Sequence, residues 1–150
     1  MRIRAVQPED MDPVVALAAR LTEGVASWRD QDHVAVAVRQ WLINSVNRAG
    51  GSDSSAFVAE EGGVVIGFVS VSERAHFTGE LDAYVGELVV HKAHAGSGVG
   101  RALMRVAEDW ARTRGLGRLM LETGAANAAA RAFYEALGYE LEDVRLSRGL

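Results

Sequence analysis

Residues 83–104 read AYVGELVVHKAHAGSGVGRALM, and this stretch decides the fold. Ala83 to His91 is apolar and rich in β-branched residues, which predicts a strand. The glycines of Ala95–Gly100 then turn the chain. Val99, Ala102, Leu103, Val106 and Trp110 follow at helical spacing as one apolar stripe. Beyond that helix, Arg118 to Thr123 reads as a short strand. Strand, helix and strand in this order form a crossover that packs a helix on a sheet.

Working outward from there, Ala56–Glu60 and Val64–Ser72 are β-rich runs joined by Glu61-Gly62-Gly63, which predicts a hairpin. Gly50 to Ser55, GGSDSS, is a loop by composition. Before it stand a short strand, Arg2–Val6, and two helices. Val14, Leu17, Ala18 and Leu21 share one face of the first; Val34, Val38, Trp41 and Leu42 share one face of the second. Downstream, Asn127 to Leu137 predicts a helix, and Tyr139 to Leu146 predicts a final strand. The order β-α-α-β-β-β-α-β-α-β implies an α/β fold, one mixed sheet with helices on its faces. It excludes a helical bundle and a barrel.

A chain of 150 residues is the size of one domain, taken here as residues 1–150. Its 49% hydrophobic and 24% charged content is that of a globular protein. A net charge of −4, with no concentrated basic patch, argues against a nucleic-acid surface. The absence of cysteine removes disulfides, thiolate metal sites and thiol nucleophiles together. The charged N-terminus has no apolar signal core, and no run of eighteen apolar residues exists to span a membrane. A cytoplasmic domain is the expectation.

Glycines bring backbone amides close to a ligand, and a helix N-terminus adds unpaired donors and a positive dipole end. Ala95-Gly96-Ser97-Gly98-Val99-Gly100 combines the two. A dinucleotide fingerprint fails, because the third position after Gly98 is Arg101, and no Gly-Lys-Ser/Thr triplet exists for a Walker loop. A plain strand-to-helix turn needs glycine too. The later segment LETGAANAAARAFYEALGY, Leu121–Tyr139, also has ordinary readings residue by residue: Asn127 as an N-cap, Tyr134 as a core aromatic and Gly138 as a C-cap.

Together the two segments resemble the GNAT superfamily of acetyl-CoA-dependent N-acetyltransferases. Its pyrophosphate loop is matched by Gly98 and Gly100, and its later motif by Asn127, Ala130, Phe133, Tyr134, Gly138 and Tyr139. The resemblance implies a mixed six- or seven-stranded sheet flanked by helices, with central strands that splay. With only twelve residues after Gly138, a seventh strand would be missing or supplied by a partner chain. Ala95 stands where the family's loop begins with Arg or Gln, which predicts weaker cofactor affinity.

The resemblance further implies acetyl-CoA as co-substrate, with its pantetheine arm lying along the backbone of Leu88, Val89 and Val90. Its phosphates would lie on the loop of Ala95, Gly96, Ser97, Gly98, Val99, Gly100 and Arg101. Asn127 would hold the arm or orient its helix. The acceptor is a primary amine of a small molecule or a peptide N-terminus, attacking the thioester directly. No metal is expected: His91 and His94 read as solvated loop residues, and Met104 and Met120 as core fillers.

An alkyl amine with a pKa near 10.4 is about 99.9% protonated at pH 7, so a base is needed. Glu87, inside the apolar YVGELVV, and Glu122, five residues before Asn127, are the two candidates, with Glu87 ranked first. For the departing sulfur the resemblance points to Tyr134 as the acid, since its phenol is a donor. Thr22–His33 and Glu73–Ala83 are the segments expected to choose the acceptor. There Glu23, Glu73, Glu80 and Asp82 either attract a cationic amine or are surface acids. A catalytically weak acyl-CoA sensor on the same fold is the alternative, and the resemblance allows a homodimer.

Overall fold

The computed structural model describes residues 1–150. Five strands form one sheet in the order β1 (Arg2–Ala5), β2 (Ser54–Glu61), β3 (Val64–Ala75), β4 (Leu81–Val90) and β5 (Leu119–Leu121). The first four are antiparallel neighbours, and β5 joins β4 in parallel after the crossover. Helices α1 (Met11–Val15) and α2 (Gln31–Arg48) cover one face. Helix α3 (Val99–Thr113) covers the other, with α4 (Ala128–Ala136) beside it.

Each face has its own core. On one, Val38, Leu42 and Val46 of α2 meet Val58, Phe68 and Val89 of the sheet. On the other, Leu103, Met104, Ala107 and Ala111 of α3 meet Ile66, Val69, Val71 and Val85. Phe68 and Val69 are neighbours that point to opposite cores, as the two-residue period of a strand requires. The hairpin between β2 and β3 turns on Gly62 and Gly63 alone. Both have positive φ, the backbone a two-residue turn needs.

Several expectations differ from the fold. The first helix is broken: α1 stops at Val15, and Ala18–Thr22 continues as a 3₁₀ turn. Trp41 is half exposed rather than core. The expected six- or seven-stranded sheet has five strands, because Tyr139–Leu146 forms none. Leu141 falls on one side of an extended backbone there, while Val144 and Leu146 fall on the other. With Glu140, Glu142, Asp143 and Arg145 between them, neither side can be buried. No helix is long and apolar enough to cross a membrane.

Candidate functional site

The site is built around a fault in β4. Val69 pairs with Leu88 and Val71 with Val85, so Ser70 of β3 faces two residues, Gly86 and Glu87. This β-bulge exchanges the faces of the strand. Ala83 and Val85 point into the α3 core, yet Val89 points into the α2 core, and Glu87 goes with it.

Glu87 is buried, and its Oε2 accepts from the hydroxyls of Ser45 on α2 (2.7 Å) and Ser70 on β3. The Ser70 Oγ in turn accepts from the Glu87 amide (3.0 Å). A Cβ at Gly86 would lie 2.8 Å from that hydroxyl, so glycine lets the bulge close. Burial raises the Glu87 pKa above the usual carboxylate value, and the two serines only partly oppose it. The serines are legible in the sequence only as polar interruptions of apolar runs. Gly86, a glycine inside a strand, was the available sign of the bulge.

Past Val85, β5 no longer follows β4, so one edge of Gly86–Val90 is open. The His91 amide bonds to Ile66 of β3 (2.8 Å). By alternation Val89 also faces β3, and only Leu88 and Val90 turn backbone groups to the gap. Val89 therefore differs from expectation: its side chain fills the core, and its amide and carbonyl serve the sheet. The Val90 carbonyl accepts from Arg20 Nε at 3.3 Å, a contact nothing in the sequence foretold.

The glycine turn stands at the end of the same strand. Gly96 and Gly98 hold φ of +77° and +88°, and α3 begins at Val99. The amides of Ala95 and Ser97 are used within the turn, on Lys92 and His94. Those of Gly96, Gly98, Val99, Gly100 and Arg101 have no acceptor within the protein. Five donors gathered at a helix N-terminus suit a phosphate.

Helix α4 closes the far side. Asn127 caps it, accepting from the Ala130 amide (3.1 Å), and its side-chain amide donates to the Glu23 carbonyl (3.3 Å). Gly138, at φ +90°, ends the helix, and the Tyr139 amide bonds back to Tyr134 (3.0 Å). Phe133 lies against Gly100, where a Cβ would come within 3.3 Å of its ring. The Tyr134 ring packs edge-on against Phe133 and Tyr139, and its hydroxyl makes no hydrogen bond within the protein. Burial pushes its pKa up to about 12, so it is a phenol, a donor, at neutral pH.

Glu122 stands apart from this cluster. Its side chain is 60% exposed and faces Arg74 at 3.4 Å and Arg145 at 3.9 Å. His91 accepts from the Ala93 amide, and His94 lies 3.8 Å from Glu61.

The family profile of the acetyltransferase (GNAT) family matches residues 17–139. A streptothricin acetyltransferase of Streptomyces lavendulae is 40% identical over 89 residues, 59% of this chain and 46% of that one. A mycothiol acetyltransferase of Amycolatopsis mediterranei is 32% identical over 148 residues, 96% of this chain and 47% of the relative. The chain thus spans about half the length of these curated relatives. Among solved structures, a mutant Bacillus halodurans protein superposes with a TM-score of 0.83 at 18% identity, covering 100% of this chain and 99% of that one.

Proposed function

The chain belongs to the acetyltransferase (GNAT) family, and from that membership we propose that it transfers an acetyl group from acetyl-CoA directly to a primary amine. One observation carries the reading: a strand with an open backbone edge at Leu88 and Val90 runs straight into five free amides. An extended amide-bearing arm ending in a pyrophosphate matches both. The arm must displace Arg20 from the Val90 carbonyl, or share that carbonyl with it.

Glu87 is the base, a desolvated carboxylate of raised pKa on the α2 side of the bulge. It takes the amine proton directly or through water. The amine lone pair then forms the C–N bond to the thioester carbon, the nitrogen gives up its second proton to water, the C–S bond breaks, the sulfur takes a proton from Tyr134, and Glu87 releases its proton to solvent. Tyr134 recovers a proton from solvent. Glu122, exposed and facing two arginines, has no comparable desolvation and is the weaker candidate. The relatives' names point both ways, to small-molecule acceptors in streptothricin and mycothiol acetyltransferases and to a protein N-terminus in N-alpha-acetyltransferase 30, so both kinds of amine belong in the test.

The test is acetyl-CoA consumption across a panel of amines, amino acids, peptides and aminoglycosides, with calorimetry on Gly98→Val. A side chain at Gly98 meets no protein atom within 4 Å, so the substitution acts on the positive φ and on ligand approach. Loss of acetyl-CoA binding in a variant with a native circular-dichroism spectrum is the expected result. Unchanged affinity would refute the cradle. Tight binding without turnover on any amine would make the protein a CoA sensor.

A further inference from the structure

The two carboxylate oxygens of Glu87 are not equivalent. Oε2 accepts from the Ser45 hydroxyl of α2 (2.7 Å) and from the Ser70 hydroxyl of β3. Oε1 has no partner within the protein, and no fully buried side-chain oxygen is left without one. Oε1 is therefore the oxygen that solvent reaches, in a residue only 7% exposed.

The difference decides where a proton can go. Ser70 Oγ already accepts from the Glu87 amide (3.0 Å), and its own proton has no acceptor other than Oε2. The Ser45 hydroxyl also donates to Oε2. A proton on Oε2 would point at two donors, and a bond would have to break or reverse. A proton on Oε1 leaves Oε2 as a carbonyl oxygen, whose two lone pairs keep both bonds. Of the charged and titratable groups around it, Arg48 of α2 favours the ionised form, and Tyr84 of β4 lies near enough to feel the charge. β3 presents only the Ser70 hydroxyl. The carboxylate is pinned from α2 and from β3, with one oxygen turned outward.

We infer that Ser45 and Ser70 are positioning residues of the acetyl transfer: they hold Oε2, so that Oε1 is the atom that takes the proton of the acceptor's ammonium group. This rests on Glu87 being the base. An O–H bond forms at Oε1 as an N–H bond of the ammonium breaks, the nitrogen keeps the electron pair, and the carboxyl group becomes neutral. The proton later leaves Oε1 for solvent. Neither serine has to turn in either step.

Ser45→Ala is the test, because alanine suits a helix interior, whereas Ser70→Ala would also orphan the Glu87 amide. The Ser45 bond favours the ionised carboxylate, so its loss should raise the Glu87 pKa. Two readouts are compared. One is the carboxyl-carbon NMR shift of Glu87 against pH in the free protein, assigned with Glu87→Gln. The other is kcat/KM against pH for an alkylamine that the wild type acetylates. The NMR midpoint should move to higher pH, and kcat/KM on the acidic limb should fall roughly three- to tenfold, with the plateau at higher pH kept. Ser45→Thr, which retains the hydroxyl, should restore both. An unmoved midpoint in Ser45→Ala, with the limb still abolished by Glu87→Gln, overturns the inference and leaves Glu87 as the base. A midpoint that moves while the limb stays would show that Glu87 is not the base, and the inference falls with it.

Discussion

Glu87 and Tyr134 are both desolvated, with opposite consequences for chemistry. Burial makes the carboxylate a stronger base and the phenol a weaker acid. Tyr134 consequently stays protonated throughout the neutral range, and because a thiolate is a weaker base than its phenolate, it serves the leaving sulfur as a hydrogen-bond donor whose proton passes only as the C–S bond breaks. Tyr134→Phe keeps the ring against Phe133 and Tyr139, so it should lower kcat by roughly 10²–10⁴-fold while acetyl-CoA binding by calorimetry holds. Glu87→Gln should abolish the acidic limb of the kcat/KM profile, with partial recovery at high pH, where more amine is already neutral. If Glu122→Gln moves that limb instead, the base is at the end of β5.

At the scale of elements, α3 is placed by a close approach to β3. A Cβ on Gly67 would come within 2.9 Å of Leu103 and 3.0 Å of Val99, with the Val89 carbonyl at 3.2 Å. Val99 is the first residue of α3, so any retreat of the helix moves the free amides relative to Leu88 and Val90. Gly67→Ala should therefore cost about 1–3 kcal/mol in urea denaturation and also raise the KM for acetyl-CoA. A stability loss with an unchanged KM would show that the cradle tolerates helix movement. These elements were largely legible in the sequence. The hairpin announced itself through Gly62-Gly63, α3 through its apolar stripe, and α4 through Asn127 and Gly138. The bulge was marked in the sequence only by Gly86, and its position and effect on the faces of AYVGELVV become visible only when the partner strand is known. Its effect is to carry Glu87 to the α2 face, and no local pattern encodes Ser45, forty-two residues away. The last strand failed for the opposite reason: β-forming residues are present at Tyr139–Leu146, but on both sides of the backbone.

Across the whole molecule, two buried carboxylates set opposing pH dependences. Asp10 accepts from Arg4 at 2.7 and 2.9 Å and from the Gln7 amide at 2.7 Å, tying β1 to the turn before α1. The Arg4 hydrogen bonds hold its pKa below 3.8, so its contribution is present above that value and is lost as pH falls through the folded-state pKa. Glu87 has the reverse sign. Its folded-state pKa lies above the unfolded 4.5, so the native state binds the extra proton. Burying its charge costs stability at neutral pH, and the cost disappears as pH falls through the raised pKa towards 4.5. Urea denaturation of the wild type should accordingly show stability rising as the solution is acidified from neutrality, then falling below about 3.8 as Asp10 is protonated. Glu87→Gln should be more stable than wild type at pH 7, with the difference closing towards 4.5. Arg4→Met should lose roughly 3–5 kcal/mol at neutral pH, because it leaves Asp10 buried and uncompensated. A wild-type curve that falls steadily from neutrality to pH 4, unchanged in Glu87→Gln, would mean that Glu87 remains well hydrated in solution. In that case the desolvation that makes it a base would be absent.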